Sequence, residues 1–221
     1  MVRPKVALPN PCLCLVSDRG LRPGGSLADA VIEAVAGGVT MVQVREKDLP
    51  GGPLLALARE LTERIAGRAL LIVNERVDVA LAVEADGVHL GEQALAVDDA
   101  RRLAGPGLLI GRSVHDVEAA TKAEKNGADY LIAGALFPTR SHPGREPGGP
   151  ALVRRIAGAV RIPVLGIGGV TPRNVAGVLD AGAAGVAVIS SILAAERPGE
   201  AADAFVMAMR HGARLRSPAT P

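Results

Sequence analysis

Eight short apolar runs, each followed by an Ala-rich amphipathic stretch, set the frame for this chain. The runs are 12–17 (CLCLVS), 39–45 (VTMVQVR), 69–74 (ALLIVN), 86–90 (DGVHL), 108–112 (LLIGR), 129–134 (DYLIAG), 163–168 (PVLGIG) and 184–190 (AGVAVIS). They are apolar on both faces, as in strands buried in a parallel sheet rather than half-exposed antiparallel ones. The stretches 26–37, 53–66, 76–82, 97–104, 116–126, 150–158, 172–181 and 199–210 carry helical patterning. Ser26 is placed to cap the first of these. Gly37, Gly67, Gly127 and Gly182 stand where a left-handed residue ends a helix. Eight strand-then-helix units predict one α/β domain, a (β/α)8 barrel. An open doubly wound sheet usually has fewer strands and often a Gly-rich turn after the first. Here that turn reads Ser17-Asp18-Arg19-Gly20, which is no dinucleotide fingerprint. The barrel is expected over 11–212, with 1–10 a loose N-terminal segment and 213–221 a flexible C-terminal tail.

Composition narrows the partners. With two Phe, one Tyr and no Trp, the core has to be aliphatic, and stacking platforms for single-stranded nucleic acid are excluded. The 25 basic and 23 acidic residues are interspersed, leaving no basic stripe for duplex binding. No signal-peptide pattern and no run of ~18 apolar residues is present, so no membrane partner is expected. Cys12 and Cys14 share one strand face, where a mutual disulfide would be strained, and no Cys/His cluster with zinc spacing accompanies them. They read as small buried hydrophobes in a reducing, cytoplasmic setting.

In a barrel the residues that follow each strand converge on one face, where catalytic groups collect. Those positions hold Asp18; Gln43, Arg45 and Lys47; Asn74 and Glu75; and His89. Further along they hold Ser113 and His115; Thr139, Ser141 and His142; Gly168 and Gly169; and Ser190 and Ser191. His211, near the C-terminus, reads as a solvated residue. Gly168 and Gly169 after the seventh run, paired with Ser190 and Ser191 after the eighth, predict a phosphate site. Tight packing of small residues at the rim is the alternative. Gln43, Arg45 and Lys47 alternate along one strand and point to one face, where an amide and two cations suit a phosphate or pyrophosphate. Ser113 and His115 share a face by the same rule, so His115 can reach a ligand above the barrel.

The segments 42–47 (VQVREK), 72–79 (IVNERVDV), 86–91 (DGVHLG), 111–115 (GRSVH), 129–139 (DYLIAGALFPT), 166–172 (GIGGVTP) and 185–192 (GVAVISSI) resemble the thiamine phosphate synthase and TenI superfamily in order and spacing. The resemblance covers nearly the whole chain. It implies a TIM barrel, usually a homodimer, that acts on a thiazole phosphate in thiamine biosynthesis. Two activities live in that superfamily. The synthase joins hydroxymethylpyrimidine pyrophosphate to a thiazole phosphate carrying a carboxylate, losing pyrophosphate and CO₂, with Mg²⁺ held partly by two acids, one after strand three and one after strand four. The TenI-type tautomerase moves a proton within the thiazole carboxylate phosphate, using a His in the segment like 111–115 and no cofactor.

Several positions bear on the choice. Asn74-Glu75 replaces the synthase's Asn-Asp, so Glu75 is the metal ligand only if the chain is a synthase. Three residues beyond Gly91, where a synthase has its second acid, stands Ala94. Glu92 could substitute from a different place in the loop. The synthase run Thr-x-Thr-Lys reads Thr139-Arg140-Ser141-His142, with a His in place of the Lys. Gly111 to His115, Ala123-Glu124-Lys125 and Ala128-Asp129-Tyr130 look more like TenI proteins. The expected activity is therefore the tautomerase, an isomerase with His115 as acid/base. Gln43, Arg45, Lys47, Asn74, Ser113, Thr139, Ser141 and His142 are expected to bind substrate, and 168–169 with 190–191 the phosphate. The Mg²⁺-dependent synthase is the alternative, favoured by the retained Gln43, Arg45 and Lys47. A non-catalytic phosphate-ligand regulator is the second alternative.

Overall fold

The strands close in sequence order into one parallel barrel: β1 (Cys12–Val16), β2 (Met41–Val44), β3 (Leu70–Asn74), β4 (Gly87–Leu90), β5 (Leu109–Val114), β6 (Tyr130–Ala133), β7 (Val164–Ile167) and β8 (Gly185–Val188). β8 returns to β1 with Cys12 opposite Gly185 and Leu15 opposite Val188. The computed structural model describes residues 6–139 and 146–216, with side chains through 211. The ends of the expected loose segments, 1–5 and 217–221, lie outside the described residues.

The helices are α1 (Leu27–Ala36), α2 (Gly51–Ile65), α3 (Val77–Ala82), α4 (Val97–Ala104), α5 (Val117–Lys125), α6 (Gly149–Ala157), α7 (Val175–Asp180), α8 (Ser190–Leu193) and α9 (Pro198–Arg216). Ser26 Oγ caps α1 by accepting from Asp29 N–H at 3.1 Å. Three departures from the expected bounds matter. β5 runs on to Val114 and so carries Ser113 within the strand. The expected eighth strand stops at Val188, and Ser190 and Ser191 open α8, a turn too short to leave a periodic signal. α9 outruns 199–210, its last turn taking up the start of the expected tail and His211 lying exposed.

Gly67, Gly127 and Gly182 take positive φ as expected, but Gly37 does not: at the end of α1 the left-handed residue is Gly38, φ +106. Gly37 serves a different need. A Cβ there would overlap the carbonyl oxygen of Gly199, so two backbones meet where α1 packs on α9.

Strict alternation sorts side chains into two apolar shells. Leu13, Leu15, Val42, Val44, Leu71 and Val73 face outward and pack with residues such as Val31, Leu61, Ile156 and Phe205. Cys12, Cys14, Val16, Met41, Ile72, Leu109, Tyr130, Ile132, Leu165 and Ala187 fill the lumen. The chain's single Tyr is thus spent inside the barrel, where Gly111 makes room for its ring. No helix among the described residues is long and apolar enough to cross a membrane.

Both cysteines are buried free thiols, and burial pushes Cys12 up to about 12 and Cys14 well above its ordinary value. Thiolate, the reactive form, is therefore suppressed at neutral pH. A chromogenic disulfide reagent is expected to find no reactive thiol in the native protein and two after denaturation. Rapid native labelling would contradict this placement.

Candidate active site

The mouth of the barrel is shaped from β2 outward. Glu46 is 6% exposed and faces away from the mouth. Its Oε1 accepts from Ser17 Oγ at 2.5 Å and its Oε2 from the Arg19 backbone N–H at 3.1 Å. Ser17 Oγ in turn accepts from Arg45 N–H at 2.8 Å. Arg19 makes a second, forked contact to Asp48, at 2.7 and 2.5 Å. One buried carboxylate thus ties the β1 loop to the β2 end, and by alternation Gln43, Arg45 and Lys47 are presented to the cavity. Glu46 was not singled out from sequence. Its only signal is the parity of Arg-Glu-Lys, which places an acid on the face opposite two cations.

The cavity occupies about 400 Å³, ample for small-molecule ligands. Gln43, Arg45, Lys47, Asn74, Glu75, Ser113, His115, Thr139, Gly168, Gly169, Ser190 and Ser191 all line it. Ser141 and His142 lie outside the described residues. Asp18 is not in the lining; its side chain accepts from Gly20 N–H and caps a 3-10 turn over Arg19–Leu21.

Polar groups of the upper lumen form the floor. Gln43 is 2% exposed, and its Nε2 has no hydrogen-bond partner among the described residues. A buried donor that faces a cavity without a partner is costly unless a ligand or water completes it. His89 also lines the cavity, with Nε2 2.9 Å from Ser113 Oγ. Burial pushes His89 down to about 3, aided by the charges of Arg112 and Arg45, so the ring is neutral in the physiological range.

At the β7–β8 side, Asn174 Oδ1 accepts from Thr171 N–H and its Nδ2 donates to Gly169 O, shaping the turn. Ser191 Oγ donates to Val170 O at 2.7 Å and joins the two loops. A Cβ at Gly169 would lie 2.6 Å from Pro138 O, so close packing of the β6 loop contributes to the need for glycine here. Rim packing therefore accounts for one side of the glycine backbone, while Gly168 and Gly169 also line the cavity.

The acidic groups lie at the rim near β3 to β5. Glu75 takes φ +60 and packs over Gly91, with Oε1 3.9 Å from Lys47 Nζ. Glu92 Oε1 is 2.6 Å from His115 Nε2, while His115 Nδ1 donates to Gly134 O. Arg112 donates to Leu95 O and Glu92 O, both at 3.0 Å, and braces this loop from behind. Glu92 and Gln93 line the cavity, whereas Ala94 packs against the outer apolar shell. Counting three residues past Gly91 therefore pointed to a side chain that faces the helices. The acid that reaches the mouth is Glu92. No cluster of three or more His, Cys, Asp or Glu side chains suited to a metal is found among the described residues.

The family model described as thiamine monophosphate synthase matches residues 13–192. A thiamine-phosphate synthase of Chlorobium luteolum is 46% identical over 203 residues, 90% of this chain and 93% of that one. A thiamine-phosphate synthase of Roseiflexus castenholzii is also 46% identical, covering 83% and 82%. The solved thiamine phosphate pyrophosphorylase of Pyrococcus furiosus superposes with TM-score 0.83 at 38% identity, over 91% of this chain and 96% of that one. These relatives overturn the isomerase expectation, since they carry the synthase name. Geometry agrees on one point: the acid absent at Ala94 is present at the mouth as Glu92.

Two outcomes are expected. Glu46→Ala strands buried donors and should cost about 1–3 kcal/mol in denaturant melts; an unchanged midpoint would remove Glu46 as the anchor. His89 is held below its unfolded value of 6.5, so an unfolded chain takes a proton that the folded one refuses as pH falls. Stability should be at full value above pH 6.5 and decline from there towards pH 3. That part of the slope should vanish in His89→Gln, as read from denaturant midpoints against pH.

Proposed function

The chain belongs to the thiamine monophosphate synthase (TMP-TENI) family, and on that premise we propose that it is a thiamine-phosphate synthase. As such it is a transferase that joins hydroxymethylpyrimidine pyrophosphate to a thiazole phosphate and releases pyrophosphate. The observation that carries this reading is a single cavity with two candidate anion ends on either side of β1. One is Gln43, Arg45 and Lys47 after β2; the other is 168–169 with 190–191 at β7 and β8. A one-phosphate substrate needs one such end, whereas two phosphorylated substrates meeting in one cavity need both.

In this reading Arg45 and Lys47 hold the pyrophosphate, and Gly168, Gly169, Ser190 and Ser191 hold the thiazole phosphate. Gln43, Asn74, Ser113 and Thr139 orient the rings between them. Ser141 and His142 are retained as substrate-binding candidates on sequence grounds. Val16, Ile132 and Ile167 supply an apolar wall that keeps water from the carbon losing pyrophosphate. His115 takes no proton from substrate; it positions Glu92.

Mg²⁺ suits this donor set. Glu75 and Glu92 offer hard oxygens at the mouth, and the ion commonly completes its shell with substrate phosphate oxygens and water. When bound it offsets the charge on the departing pyrophosphate. A homodimer is the expected assembly.

The test is incubation of the pure protein with both substrates, with and without Mg²⁺. Thiamine phosphate is expected only with metal, and Lys47→Ala should lower the rate about a hundredfold while leaving KM for thiazole phosphate unchanged. No thiamine phosphate with both substrates and metal present would overturn the reading.

A further inference from the structure

Beneath the cavity floor lie two buried polar atoms with no hydrogen-bond partner among the described residues, His89 Nδ1 and the Tyr130 hydroxyl. The rings are neighbours, with centroids 5.7 Å apart and planes tilted by 34°. Both atoms border the space that Gly111 leaves by lacking a side chain. They stand 2.6 Å and 2.5 Å from where its Cβ would be, and so within about 5 Å of each other. A small shift of the two rings brings the atoms into direct contact. On the other side of the imidazole, Nε2 meets Ser113 Oγ at 2.9 Å, and Ser113 lines the cavity.

We propose that Tyr130, His89 and Ser113 form a hydrogen-bonded chain with one direction. The phenol donates to His89 Nδ1, and His89 Nε2–H donates to Ser113 Oγ. The Ser113 hydroxyl is then left to donate to an unprotonated ring nitrogen of the ligand. Tyr130 and His89 are positioning residues, and Ser113 makes the contact. The ligand, on the synthase reading, is the pyrimidine pyrophosphate.

The direction follows from counting donors. Burial keeps the Tyr130 phenol protonated, and His89 is neutral, so one ring nitrogen carries a proton and the other accepts. If Nδ1 carried it, the Tyr130 O–H would have no acceptor among the described residues. Nε2 would then consume the Ser113 proton, leaving that hydroxyl able only to accept from a ligand. With the proton on Nε2, every donor in the chain is used and Ser113 offers one outward. A stranded buried donor costs more than an unused hydroxyl lone pair.

The experiment reads the tautomer and the kinetics separately. Long-range ¹H–¹⁵N NMR of the labelled protein is expected to show His89 protonated on Nε2 and bare on Nδ1 across neutral pH. Tyr130→Phe keeps the ring and removes the hydroxyl. It should turn His89 into a tautomer mixture and raise KM for the pyrimidine pyrophosphate about tenfold, the worth of one hydrogen bond. KM for thiazole phosphate and kcat should hold. His89→Gln, which retains an N–H for Ser113, should recover most of the affinity lost in His89→Leu. A wild-type ring protonated on Nδ1 overturns the direction. The expected tautomer with a pyrimidine KM unmoved by Tyr130→Phe overturns the link to recognition. If no thiamine phosphate forms at all, the synthase reading falls while the tautomer measurement still decides the chain's direction.

Discussion

Closure of eight parallel strands leaves no freedom about which side chains face inward. Once β1 and β8 pair, alternate residues of every strand are committed to a narrow lumen, and the rest to the layer beneath the helices. The lumen is filled with apolar side chains through its lower part, so a polar inward position has somewhere to go only near the strand ends. Gln43, Asn74, His89 and Ser113 lie at that level. The site follows from the geometry of the barrel as much as from the choice of residues.

That rule explains what was legible beforehand. Eight strands, their order and most of the mouth residues, Asp18 excepted, followed from apolar runs and parity, because both depend on local spacing. The short helix α8 was invisible, as one turn has no period to read. Gly37 closes α1 as expected but without the left-handed conformation, and its need for glycine is set by Gly199 on the distant α9. Ala94 misled for a related reason. Position counting assumes that a loop keeps its path, and here the path puts Glu92 and Gln93 towards the cavity and Ala94 towards the apolar shell.

The rim is held by charges that do not themselves line the cavity. Glu46 fixes the β1 and β2 loops from within, and Arg112 fixes the β4 loop through two carbonyls. Hydrogen bonds of this kind to backbone and buried hydroxyls set loop positions without adding charge to the cavity. The two cations that line the cavity and the carboxylate that braces its loops therefore come from adjacent positions just after one strand, 45 to 47.

The contact between Gly37 and Gly199 has a temporal side. α1 follows β1 and α9 follows β8, so the contact of their backbones spans the same closure that pairs those two strands. Sequence-distant partners carry a large loop-closure entropy before any contact compensates it. A nascent chain that has emerged through β7 still has an open sheet, with the edge of β1 unpaired and the inner residues of that strand without their last neighbours. The seam makes folding of this barrel an event that waits for β8 to arrive.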